Sequence, residues 1–126
     1  MEKQKGIDKK KKILVIDDEE FIRELIKDIL EMEGIETDLA EGSNKAYEFV
    51  ENNEYSLIFL DKNLNGENIK ELINVIRKKK CKAKIILITG EISVEESYLL
   101  EIGASDYLLK PFDFENLVNK VKEHLG

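Results

Sequence analysis

Side chains of the types used in metal-assisted phosphoryl chemistry stand at the ends of four short apolar runs: Asp17 and Asp18 after Ile13–Ile16, Asp61 after Leu57–Leu60, Thr89 after Ile85–Ile88, and Lys110 after Leu108–Leu109. Three carboxylates drawn into one pocket would repel one another and push at least one pKa upward unless a cation neutralised them. A hard divalent ion is the natural solution. Magnesium takes a few carboxylate oxygens, keeps several waters and leaves room for phosphate oxygens, and soft-metal ligands are absent around these positions. In such a site a central aspartate can attack phosphorus and form an acyl phosphate. The ion and a lysine would neutralise the developing charge, and a threonine hydroxyl would donate to another phosphoryl oxygen.

Bringing these side chains together requires a particular scaffold. Short apolar runs alternate with longer segments of helical periodicity, without repeats or a low-complexity linker, which is the pattern of βαβ units. Strands are expected at Ile13–Asp17, Ile35–Ala40, Leu57–Asp61, Ile85–Thr89 and Asp106–Leu109. The first, third and fourth lack polar alternation, as strands buried on both faces should. Helix one carries the stripe Phe21, Ile22, Leu25, Ile26, Ile29 and Leu30; helix three carries Ile69, Leu72, Ile73 and Ile76; helix five carries Phe114, Leu117, Val118, Val121 and Leu125. Helix two, around Ala46, Tyr47, Phe49 and Val50, is shorter. Helix four, roughly Val94–Glu101, has the least regular apolar face and is expected to be free to shift. The fold class is therefore α/β: a doubly wound, flavodoxin-like, five-stranded parallel sheet with five helices. Its order, 2-1-3-4-5, is that of a common class of such sheets, and no residue of the chain dictates it. In that order the first and third strands are neighbours about 4.8 Å apart, so Asp17 and Asp18 sit beside Asp61 at the edge where such sheets bind ligands. Lys110 ends a strand roughly 10 Å away, a gap its stem can largely cover.

The chain's 126 residues suit one domain, with residues 1–11 as a basic lead-in and 12–126 as the folded unit. Met1–Lys12 carries Lys3, Lys5, Lys9, Lys10, Lys11 and Lys12 and reads as a solvated lead-in. With 27 carboxylates against 20 Lys and Arg, a nucleic-acid surface spread over the whole module is disfavoured, though a local patch remains open. Cys81, the single cysteine, reads as a reduced thiol in a cytosolic protein. The apolar run Ile13–Ile16 is too short for a signal peptide or an anchor. His124, in the last turn of helix five, suits the helix dipole and reads as structural.

Taken singly, each candidate has a plainer role. Asp18, Glu19 and Glu20 can cap helix one, Asp61 can cap a loop, Thr89 before Gly90 can be a turn, Lys110 can be a solvated strand end, and Tyr107 can be core. Convergence shifts the balance, because four separate strand ends each carry a residue type the chemistry requires.

The stretches ILVIDDEE, LIFLDKNL, IILITG and DYLLKPF together resemble the receiver domain of two-component response regulators, CheY-like in type, over nearly the whole chain beyond the lead-in. The resemblance implies that Asp61 accepts a phosphoryl group from the phosphohistidine of a sensor histidine kinase or histidine phosphotransfer protein. It assigns Mg²⁺ to Asp17, Asp18, Asp61 and the Asn63 carbonyl, makes Thr89 and Lys110 the partners of the phosphoryl group, and makes Thr89 and Tyr107 the switch. Pro111 matches a cis-proline that would aim Lys110 inward. Asn63 and Glu91 match positions that flank the hydrolytic water. The surface of helix four, strand five and helix five would signal to a downstream protein. The expected protein is cytoplasmic, a monomer or phosphorylation-dependent dimer, with no membrane or direct nucleic-acid contact, and no enzyme beyond its own phosphorylation and dephosphorylation. Departures fall after the acceptor: Asn65 and Ile69 stand where proline and glycine are usual, Gly66 is left to make the turn, and Lys62 adds a charge. An aspartyl-phosphate phosphatase would also use a strand-end aspartate with magnesium, but its second aspartate is Asn63 here and no cap domain is present. A scaffold that has lost phosphorylation is opposed by the intact set, and nucleotide binding by the lack of a glycine-rich phosphate loop after the first strand.

Overall fold

The structure, a computed structural model, describes residues 11–125. All of the basic lead-in except Lys11 therefore lies outside the described residues. Strands and helices alternate strictly: β1 Lys12–Ile16, α1 Glu20–Met32, β2 Glu36–Ala40, α2 Ser43–Asn52, β3 Leu57–Asp61, α3 Ile69–Lys78, β4 Lys84–Thr89, α4 Glu96–Ile102, β5 Asp106–Leu109 and α5 Phe114–Leu125. The five strands form one parallel sheet in the order β2-β1-β3-β4-β5. Parallel pairing needs a crossover between consecutive strands, and the helices supply it on both faces.

Burial follows from this layering. Every residue of β3 is buried, as is every residue of β4 after Lys84 and of β1 after Lys12. Alternate side chains feed two cores. Leu14, Ile16, Ile58, Leu60, Ile85 and Leu87 pack with α2, α3 and α4; Ile13, Val15, Leu57, Phe59, Ile86 and Ile88 pack with α1 and α5. The continuous apolar runs are thus the sequence signature of strands covered twice. Asn68 caps α3 by accepting from the Glu71 amide at 3.0 Å, while Gly103, at φ 87°, closes α4 in the left-handed conformation that favours glycine.

Four expectations need correction. Phe21 and Phe114, assigned to apolar stripes, are 73% and 44% exposed, because each lies in the first turn of a helix that begins at the C-terminal edge of the sheet. The first strand, expected to start at Ile13, starts at Lys12, whose ammonium bonds Asn53 Oδ1 at 2.8 Å and pairs with Glu36 and Asp38. The fourth is helix four, expected over roughly Val94–Glu101: α4 starts at Glu96, ends at Ile102 and buries only Leu99 and Ile102. Among the described residues no helix is long and apolar enough to cross a membrane.

Phe59 lies at the centre of the sheet and is fully buried. Its truncation to alanine leaves a cavity between β3 and the α1–α5 layer, with an expected cost of about 3–5 kcal/mol. Urea unfolding of Phe59→Ala should therefore show a much lower midpoint at an unchanged slope.

Candidate functional site

The strand register decides what meets at the C-terminal edge. Ile16 pairs with Leu60, so Asp17 follows β1 just where Asp61 ends β3; Asp61 pairs with Ile88, and Thr89 with Leu109. The Lys110 amide then donates to the Thr89 carbonyl at 2.7 Å, carrying the lysine onto the same rim, and the Lys110–Pro111 peptide is cis. Asp17, Asp61 and Thr89 are all buried there.

Within this pocket the Lys110 ammonium lies 3.6 Å from Asp17 Oδ2, 3.9 Å from Asp61 Oδ1 and 3.1 Å from Glu19 Oε1. The Glu19 amide donates to Asp17 Oδ1 at 2.8 Å, and the Asn63 amide donates to Asp61 Oδ1 at 3.0 Å. Asp17 Oδ2, although buried, has no hydrogen-bond partner among the described residues. A buried carboxylate oxygen left in that state is costly in a protein interior.

The electrostatics are those of a site short of positive charge. Burial pushes the Asp17 carboxyl up to about 6; the Glu19 amide opposes the rise, Asp61 adds to it, and Lys110 opposes it. Asp61 is raised by burial as well, against the Asn63 amide and Lys110, with Asp18 adding to the rise. Burial works against the Lys110 ammonium, yet the carboxylates of Asp17, Glu19 and Asp61 hold its proton above the ordinary lysine range. One ammonium does not neutralise this many carboxylates.

Asp17, Asp61, Thr89 and Lys110 meet at this edge, Asp18 is near enough to raise Asp61, and Glu19 takes the third place in the close carboxylate group. Glu19 occupies the N-cap position of α1 but makes no side-chain cap; its carboxylate turns to Lys110. Oxygens of Asp17, Glu19 and Asp61 lie within 4.8 Å of one another. Nothing local in the sequence separates this role from helix capping, since Lys110 lies 91 residues away. Asn63 is exposed beside the acceptor, and the turn beyond it is made by Asn65 and Gly66, at φ 45° and 71°, both left-handed. Lys62 forms an ion pair with Glu91 and stands 5.2 Å above the Tyr98 ring, while the Glu91 amide donates to Thr89 Oγ1 at 3.0 Å. Tyr107, half-buried, packs against the α2–α3–α4 core, with the Lys120 ammonium 5.8 Å from its ring. His124 is away from this rim, its Nε2 3.0 Å from Asp106 Oδ2 at the start of β5.

Comparison with known proteins agrees with this geometry. The family model of the response regulator receiver domain matches residues 13–122. The chemotaxis response regulator CheY4 of Vibrio cholerae superposes with a TM-score of 0.83 at 25% identity, over 91% of this chain and 98% of that one. A two-component response regulator from Clostridium difficile gives 0.80 at 34% identity, over 91% and 95%. The uncharacterized transcriptional regulatory protein YkoG of Bacillus subtilis (strain 168) is 32% identical over 114 residues, which are 90% of this chain but 50% of that protein. This chain thus spans about half the length of that curated relative. From the five-stranded order, the acidic rim and the extent of the match together, the chain belongs to the response regulator receiver domain family of two-component signalling.

Proposed function

We propose that Asp61 is the phospho-acceptor, taking its phosphoryl group from a phosphohistidine on a sensor histidine kinase or a histidine phosphotransfer protein in the cytoplasm. The observation that carries this reading is the buried Asp17 Oδ2 beside Asp61, which takes no hydrogen bond among the described residues and has only the Lys110 ammonium, shared with Asp61, at 3.6 Å. An all-oxygen donor set with an unsatisfied oxygen suits a hard divalent cation. Asp17, Asp18, Asp61 and the Asn63 carbonyl are the residues that would hold Mg²⁺. When bound, that ion supplies charge neutralisation for the carboxylates and for phosphoryl oxygens.

An Asp61 carboxylate oxygen attacks phosphorus, the bond from phosphorus to the donor's imidazole nitrogen breaks, and the electron pair leaves with that nitrogen. Lys110 moves from pairing with carboxylates to pairing with a phosphoryl oxygen. Thr89, whose hydroxyl now accepts from the Glu91 amide, has its own proton available for another such oxygen. A shift of Thr89 leaves room for Tyr107 to turn inward, biasing the surface of α4, β5 and α5. The short α4, with two buried side chains, suits an element that moves at low cost. Glu91, held by Lys62, and Asn63 flank the way in for water that hydrolyses the adduct. The domain is then the substrate of its own chemistry and turns over no external substrate.

Incubation with acetyl phosphate and Mg²⁺, followed by intact-mass measurement, tests the assignment. Wild type should gain one base-labile phosphoryl group and Asp61→Asn none; equal adduct on the variant would place the acceptor elsewhere. Thr89→Ala should keep the adduct but lose the amide shift changes at α4, and their persistence would remove Thr89 from the switch.

Asp17 gives a pH test of the charge imbalance in metal-free protein. Its unfolded carboxyl titrates near 3.8 and its folded one near 6, so the folded form binds more protons between these values. Stability from this group is complete below the lower value and is lost as pH rises through the upper one. Asp17→Asn should therefore be more resistant to urea than wild type at pH 7, by on the order of 1–3 kcal/mol, with no gain near pH 4. A variant weaker than wild type at pH 7 would contradict the imbalance.

A further inference from the structure

Away from the acidic rim, Arg77–Lys84 reads RKKKCKAK: six cations and no carboxylate in eight residues, in a protein of formal net charge −7. Arg77 and Lys78 end α3, where cations suit the helix dipole, but Lys80, Lys82 and Lys84 lie beyond it. Arg77 braces the connection from α3 to β4 by donating to the carbonyls of Cys81 at 3.0 Å and Ala83 at 2.7 Å. Lys79 is paired with Glu51. Lys78, Lys80, Lys82 and Lys84 are exposed, and among the described residues they enter no ion pair. Lys80 also sits at φ 66°, a left-handed conformation that glycine or asparagine tolerates better than lysine. A long cation is held there against the preference of the backbone.

A second basic segment meets this one. The Ser56 amide donates to the Lys12 carbonyl at 2.9 Å and the Lys84 amide to the Ser56 carbonyl at 3.2 Å, so Lys12 and Lys84 flank Ser56 across the N-terminal edge of the sheet. Exposed Lys11 precedes Lys12. A groove of about 700 Å³ runs between the end of α2 and the braced loop, lined by Asn52, Asn53, Lys79, Lys80 and Lys82; Glu51 and Glu54 line it too, with Glu51 taken up by Lys79.

The partner's chemistry follows from what this edge lacks. The large apolar side chains exposed among the described residues are Phe21, Met32, Ile92, Leu100, Leu109 and Phe114, none of them in these segments. Protein interfaces centre on buried aromatic or aliphatic anchors, and stable membrane attachment needs inserted apolar groups or a second signal beside a basic patch. Spaced lysines without an anchor match the evenly charged phosphates of a nucleic-acid backbone. We infer that the N-terminal edge of the sheet, through Lys80, Lys82, Lys84 and Lys11, binds nucleic-acid phosphates independently of sequence. The opposite rim stays free for phosphoryl transfer, so the two contacts are compatible.

The test is fluorescence anisotropy with a labelled duplex of arbitrary sequence, about 20 base pairs long, at about 20 and about 150 mM KCl. Wild type should bind at the lower salt and lose most of its affinity at the higher. K80E/K82E/K84E should bind at least tenfold more weakly with a shallower salt dependence, while still accepting phosphate from acetyl phosphate, which shows that it is folded. No binding by wild type at low salt, or equal binding by the variant, would overturn the inference. So would a lysine-dependent attachment to phosphatidylserine vesicles with no binding to the duplex.

Discussion

The structure depends on a shortage of positive charge at one edge of a sheet. Parallel strands in the order β2-β1-β3-β4-β5 leave the ends of β1 and β3 adjacent, and both end in carboxylates that the layers of helix on either face screen from water. Lys110 reaches this group from β5 and is shared among Asp17, Glu19 and Asp61. That arrangement is costly for the resting fold, as the raised Asp17 and Asp61 carboxyls indicate, and in the proposed function the same cost would favour a divalent ion and then a phosphoryl group.

The remaining architecture holds that edge in place. The doubly covered strands supply a closely packed floor of fully buried side chains, which holds the rim oxygens in fixed positions, as the proposed chemistry would require. The lightest packing lies on one side. There the acceptor's own loop is tied to the loop after β4 by Lys62 and Glu91, and α4 contributes a short helix whose Leu100 is 74% exposed. In the proposed function, a charge added at Asp61 would be felt first by these weakly packed parts, which offers a physical route for passing it to a partner.

Much of this was legible in the sequence because the signals are local or periodic. Strand positions were visible as apolar runs without alternation, and strand ends as abrupt changes to Asp, Thr or Lys. The order of the strands came from the known class of such sheets, not from any residue, and the structure bears it out. What could not be read were interactions between distant segments with two plausible local uses. Glu19 looks like a helix cap until Lys110 is seen beside it, and Lys62 looks like a solvated charge until it is seen paired with Glu91 and lying over Tyr98. Phe21 and Phe114 fit a helical stripe, and only the position of the sheet's edge shows that their turns extend past the core.

We propose the acidic rim as a divalent cation site built around Asp17 Oδ2, the buried oxygen without a hydrogen bond. Its most direct test is urea unfolding of wild type and Asp17→Asn across a titration of Mg²⁺. Binding to the folded form alone should raise the wild-type midpoint in proportion to the logarithm of ion concentration once the site fills, and this rise should be largely absent in the variant. A wild-type midpoint unmoved by millimolar Mg²⁺, or an equal rise in both proteins, would contradict the account.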